Sequence, residues 1–257
     1  MTDSMPRNNA ASLDGKVAIV TGGARNIGRA IVERLARAGA SVVINYGPGT
    51  QDQAEALAST LMQEGRFVGV VAGDLSEPET AAAVFDRALE LWGRADILVN
   101  NGAITGPRAK ISQLSTAHFD EIFAVNARGV FLMMQQAMAK LSDNGRIVSI
   151  ASSTTLYPQP DLGVYAASKA AVKALSEAFA LEAGQRGITV NTVMPGPVVP
   201  GIFDSAPPER QKAIQQASPF GRLGTPADIA DIVAFLASEE SRWITGQHIL
   251  ANGGSQR

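Results

Sequence analysis

Seven short apolar runs recur along the chain: KVAIVT (16–21), SVVIN (41–45), FVGVVA (67–72), DILVN (96–100), RIVSIA (146–151), ITVNTV (188–193) and HIL (248–250). Most are β-branched and apolar at nearly every position, the pattern of strands covered on both faces. Between them the apolar positions switch to helical spacing. Ile27, Ile31, Leu35 and Ala38 form one stripe that stops before Gly39, and Ala54, Leu57 and Leu61 form another that stops before Gly65. Strand and helix alternate to the end. This predicts an α/β, single-domain, Rossmann-like fold: a doubly wound parallel sheet of about seven strands with helices on both faces, its ligand at the carboxyl ends of the strands.

No linker or internal repeat interrupts the alternation. Residues 1–13 are polar, lack the apolar core of a signal peptide and read as a flexible tail, leaving 14–257 as one domain. The segment 195–226 carries seven of the chain's 13 prolines and reads as a substrate loop lying over the site. No apolar run is long enough to span a bilayer, so a cytoplasmic protein without a membrane partner is expected. Composition changes this picture only by exclusion. Twenty-two Lys and Arg against 24 Asp and Glu leave a formal charge of -2, which argues against a nucleic-acid partner. There is no cysteine, and the only histidines, His118 and His248, have no neighbouring ligand cluster, so no metal site is expected.

The first run ends in TGGARNIG (21–28), a glycine-rich turn between a strand and a helix, where backbone N–H groups can approach a pyrophosphate. Gly22, Arg25, Asn26, Ile27 and Gly28 are the candidate contacts. Asn26 stands where a TGxxxGxG pattern has glycine, and asparagine tolerates left-handed backbone better than most residues. The second strand ends in Asn45 and Tyr46, with no carboxylate to repel a 2′-phosphate, and Arg25 is placed to pair with one, so NADP(H) is expected over NAD(H). Asp74 and Leu75 follow the third strand, where they are placed to flank an adenine; Asp74 would serve equally as a helix cap.

Tyr165 and Lys169, in YAASK, are one helical turn apart and share a face. A phenol beside an ammonium is a general acid/base suited to a carbonyl or an alcohol. Ser152 stands just past the fifth strand, placed to orient a substrate oxygen or to cap a turn. Asn126 is an amide in an apolar helical stretch, where a structural bridge and a proton-relay member look alike.

Together with NNGA (100–103), MPGPV (194–198) and the final RLGTPADIADIVAFLASEESRWITGQHILANGG (222–254), these motifs make residues 14–254 resemble the short-chain dehydrogenase/reductases, in particular the 3-oxoacyl-carrier-protein reductase group. The resemblance implies Tyr165 as proton donor, Lys169 lowering its pKa and holding the nicotinamide ribose, Ser152 polarising the carbonyl and Asn126 holding a relay water. It also implies cofactor contacts from Asn101, Gly102, Pro195, Gly196 and Val198, and a homotetramer built on helices around 112–140 and 164–185. Three departures bear on cofactor geometry: Asn26, the transposed Gly102–Ala103 pair, and Pro200 where relatives carry threonine. The expected activity is NADPH-dependent reduction of a small hydrophobic ketone or 3-oxoester. The alternatives are a 3-oxoacyl-carrier-protein reductase, an NAD-dependent alcohol or sugar dehydrogenase, and a non-catalytic NADPH-binding regulator. Residues 153–162 and 197–220 are expected to wall the substrate pocket, with Leu156, Tyr157, Val199, Ile202, Phe203 and Phe220 as its apolar lining.

Overall fold

The computed structural model describes residues 12–255. Strands β1 (Val17–Val20), β2 (Ser41–Tyr46), β3 (Val68–Ala72), β4 (Ile97–Asn100), β5 (Arg146–Ile150), β6 (Thr189–Pro195) and β7 (His248–Ala251) match the apolar runs within a residue or two. They form one parallel sheet in the order β3-β2-β1-β4-β5-β6-β7. The strands are apolar throughout because alternate residues enter different cores. On β1, Ala18 and Val20 join the cluster under α1 (Asn26–Arg37), α2 (Gln51–Gln63) and α8 (Pro226–Ala237), while Val17 and Ile19 join the opposite one. That second cluster lies under α3 (Pro78–Trp92), α5 (Gly129–Lys140) and α6 (Gly163–Ala183).

The order of strands reverses between β1 and β4, so the crossovers leave to opposite faces there and open a crevice at the carboxyl ends. Two boundaries differ from the sequence expectation. Leu13, grouped with the tail, is buried at 1% exposure and donates its N–H to the Ala38 carbonyl at 2.8 Å, so it belongs to the core; residues 1–11 lie outside those described. The helical stretch expected around 112–140 begins at Thr116 and continues to Lys140, α4 (Thr116–Phe123) passing through a π-helical turn at Ala124–Arg128 directly into α5. The excursion at 195–226 contains one further helix, α7 (Pro208–Ala217), no residue of which is buried. Its end meets the start of α8, where Thr225 and Asp228 form a reciprocal capping box.

Candidate active site

A cleft of about 360 Å³ opens at the switch point between β1 and β4. Its floor is the turn after β1. Gly22 has φ +60°, and a side-chain carbon on Gly28 would fall 2.1 Å from the Gly22 carbonyl, so neither position accepts another residue without moving the chain. Asn26 has φ 50° and takes the left-handed conformation that the missing glycine would have supplied. Arg25 caps α1 in extended geometry, with no side-chain cap and no acidic residue in the first turn. The positive end of the helix therefore faces the cleft with its N–H groups uncompensated, which suits an anionic ligand. The exposed Arg25 side chain has no hydrogen-bond or ion-pair partner among the described residues.

Around this turn the polar side chains form a brace. Thr21 Oγ1 accepts from the N–H groups of Asn101 at 3.0 Å and Gly102 at 3.1 Å, and Asn101 Nδ2 donates back to the carbonyls of Thr21 and Gly22. The transposed Gly102 is explained by contact: a side-chain carbon there would lie 2.4 Å from Leu75 Cδ1, and one on Gly22 would lie 2.7 Å from Gly102 Cα. Asn45 is buried and belongs to the same brace. Its Oδ1 accepts from Gly22 N, and its Nδ2 donates to the carbonyls of Val71 and Gly73.

The chemistry gathers at the far end of the cleft. Ser152 follows β5, and its Oγ accepts from Thr154 N at 3.2 Å and from Thr154 Oγ1 at 2.9 Å, which leaves its own proton to donate. Tyr165, on the first turn of α6, is buried; burial pushes its phenol up to about 12 while a hydrogen bond with Ser152 works in the opposite direction. Lys169, one turn on, is buried too, and burial brings its ammonium down to about 8. Its Nζ donates to the Ile150 carbonyl at 2.7 Å. Desolvation dominates both side chains, and Ser152 is the group that opposes it at the Tyr165 phenol.

Asn126 is wholly buried inside the π turn and does not line the cleft. Its Oδ1 accepts from Ile104 N at 2.9 Å, and its Nδ2 donates to Ile104 O at 2.8 Å and to Ser168 Oγ at 3.0 Å. It ties the loop after β4 to α6, beneath the cleft. Irregular backbone of this kind frees an amide from helical spacing so that it can bridge two elements.

Of the expected cofactor contacts, Gly22, Arg25, Asn26, Ile27, Gly28, Asn45, Asp74, Leu75, Asn101, Gly102, Tyr165, Lys169, Pro195, Gly196 and Val198 all line the cleft. Tyr46 does not. It shares the face of Val42 and Ile44 and packs on the core under α1, while Gly47, Pro48 and Thr50 line the cleft in its place. Asp74 closes a turn, accepting from Ser76 N at 2.8 Å, and the cap of α3 is Glu77. Both expected wall segments, 153–162 and 197–220, contribute to the cleft, but only two of the six apolar residues expected to line it do so. Ile202 and Phe203 line the cleft, but Leu156 is turned outward, Tyr157 and Val199 lie off the lining, and Phe220 faces a separate cavity with Ile214 and Ile232. Leu162, Ile214, Arg108 and Arg210 complete the wall. The two arginines were invisible to the sequence argument because each lies on a loop or helix whose approach to the site is set by tertiary packing.

The groups present fit a dinucleotide: an uncapped helix N-terminus and an unpaired arginine at one end, a tyrosine and a lysine at the other. The model of the family described as enoyl-(acyl carrier protein) reductase matches residues 22–256. An NADPH-dependent aldehyde reductase-like protein, chloroplastic, from Arabidopsis thaliana is 40% identical over 256 residues, covering 94% of each chain. Among solved structures, a short-chain dehydrogenase/reductase from Serratia marcescens superposes with a TM-score of 0.89 at 36% identity, over 95% of this chain and 100% of that one. The angucycline C-6 ketoreductase LanV with bound NADP superposes with a TM-score of 0.88 at 38% identity, over 95% and 96%. With this fold, this cleft and these relatives across nearly its whole length, the chain belongs to the short-chain dehydrogenase/reductase family.

Proposed function

We propose that the protein is an NADPH-dependent carbonyl reductase. The observation that carries the reading is the meeting, in one cleft, of a Ser152-bonded Tyr165 and Lys169 with an uncapped helix N-terminus and the unpaired Arg25. Arg25 would pair with the 2′-phosphate, the α1 N-terminus and the turn at Gly22 would receive the pyrophosphate, and Lys169 would reach the nicotinamide ribose. The names of the aldehyde reductase and ketoreductase relatives, one NADPH-dependent and one holding NADP, support the same choice. A reduced nicotinamide supplies hydride at the carbonyl carbon.

The chain's own groups handle the oxygen. Ser152 would turn its hydroxyl proton to the carbonyl oxygen, and Tyr165 would give its phenolic proton to the developing alkoxide. A phenol pushed up to about 12 is fully protonated at neutral pH, which is the form that reduction requires. Lys169 is still largely an ammonium at neutral pH and stabilises the tyrosinate left behind. Asn126 keeps the loop after β4 and α6 in register, and thereby holds Tyr165 at a fixed depth. The exposed Phe119 and Phe131, on α4 and α5, favour a homotetramer using that helical face.

The test is steady-state oxidation of NADPH and of NADH with a panel of aldehydes and ketones. Turnover with NADPH preferred supports the reading; turnover with NADH alone supports a dehydrogenase of the NAD class, and tight NADPH binding without turnover supports a regulator.

A further inference from the structure

The cleft has a charge pattern that the reaction does not use. At the end away from Arg25, the apolar side chains of Leu162, Ile202, Phe203 and Ile214 alternate with two guanidiniums, Arg108 and Arg210. Among the described residues, no carboxylate lines this end of the cleft. Asp161 is hydrogen-bonded to one of the two: Arg108 Nη1 donates to Asp161 Oδ2 at 2.7 Å. Burial works against ionisation of Asp161, yet the Arg108 guanidinium, helped by Arg210, holds its carboxyl below the usual range. Arg210 is half-buried, and its side-chain hydrogen bond is to a neutral group, the Oε1 of Gln159. Two cations share one anion, so a net positive charge faces the cavity.

The mounting of Arg210 gives that charge a defined place. It sits on α7, one turn before Ile214, which lines the same wall. Gln159 belongs to the segment before α6, which is itself pinned to the opposite lip by the Arg108 ion pair and by the N–H of Ala109 donating to the Asp161 carbonyl at 3.1 Å. The guanidinium thus spans from the loose helix to the fixed rim, with its remaining donors free. Partly desolvated guanidiniums bind planar oxyanions through paired charge-assisted bonds and reject neutral isosteres.

We infer that Arg210 is a specificity-determining residue, and that the carbonyl substrate carries a carboxylate joined to the reacting carbon through an apolar spacer lying against Leu162, Ile202, Phe203 and Ile214. This rests on the reductase reading and deepens it, adding an acid end to the expected hydrophobic substrate. The acid end meets Arg210 at the wall built by α7, while the ketone meets Ser152 and Tyr165.

Two measurements test it. In the first, kcat/KM with NADPH is compared for a series of straight-chain keto acids of increasing spacer length and their methyl esters. The best acid should exceed its ester by about ten- to a hundredfold, the scale of a hydrogen bond to a charged group. In Arg210→Met that ratio should fall toward one, Arg210→Lys should restore part of it, and added salt should reduce it in the wild type. In the second, calorimetry follows hexanoate and methyl hexanoate binding to the protein without turnover. Hexanoate should bind more tightly than the ester in the wild type and lose that advantage in Arg210→Met. Equal acid and ester rates in the wild type, or a preference that survives Arg210→Met, would overturn the inference. If no carbonyl compound is reduced, the reductase reading fails while the hexanoate experiment still decides the role of Arg210; if neutral ketones are reduced and hexanoate shows no advantage, only the inference fails.

Discussion

Lys169 makes a sharp thermodynamic demand on the fold. Its ammonium is buried, is held by one carbonyl, and ionises near 8 in place of the ordinary 10.5 because it has lost its water. That gap corresponds to about 3 kcal/mol against the charged form inside the folded protein. The unfolded chain keeps its proton to about pH 10.5, whereas the folded chain starts to lose it near pH 8, so in between the unfolded state binds more protons and stability rises with pH. Below about pH 8 both states are protonated and the penalty is full. Replacing the side chain with an uncharged one of similar length, Lys169→Met, removes the titration. Urea unfolding of both proteins, followed by circular dichroism at one protein concentration from about pH 7 to about pH 10, should show wild type gaining on the variant by about 2–3 kcal/mol across the range. Tyr165 is present in both proteins, so its linkage, which begins near the ordinary value of 10.0, cancels in the difference along with that of the other groups. The variant should be at least as stable as the wild type near neutral pH and catalytically inert, stability having been given up for function. A stability difference that does not change with pH would refute the reasoning.

Two further outcomes follow from the brace and the turn. Arg25→Ala should weaken NADPH binding by about tenfold or more and NADH binding much less, since only the former carries the phosphate; calorimetric titration with each coenzyme checks this, and equal losses would mean that Arg25 serves structure. Asn126→Leu should destabilise the protein by up to about 1–3 kcal/mol for each partly buried group of Ile104 left without a partner, and thermal unfolding together with a fall in kcat should report it.

The sheet was legible because its signal is redundant: most strands are apolar on both faces, and each element ends at glycine, proline or a polar turn. The meeting of Ser152, Tyr165 and Lys169 in one cleft was legible for another reason. Tyr165 and Lys169 sit on one helix, so local spacing fixes their relation, and Ser152 lies at the end of a strand whose edge defines the crevice. What sequence could not supply is which way a side chain turns when two uses compete. Asn45 was placed at the ribose, but its amide is committed to three backbone groups, so Asn45→Asp would set a carboxylate against the carbonyls of Val71 and Gly73 and damage the turn as well as repel phosphate. Tyr46 obeys strand alternation and goes to the core. Phe220 and Leu156 are apolar residues in the right segments that point elsewhere, and Arg108 and Arg210 come together with Asp161 only through the packing of two loops and helix α7.

The central claim is that Tyr165 delivers the proton during reduction. Tyr165→Phe keeps the ring and its packing and removes only the hydroxyl, so single-turnover oxidation of bound NADPH by a reducible ketone, with NADPH affinity measured separately, isolates that step. The account predicts a rate lower by about 10²–10⁴ with coenzyme affinity essentially unchanged. A phenylalanine variant that keeps more than about a tenth of the wild-type rate would contradict it.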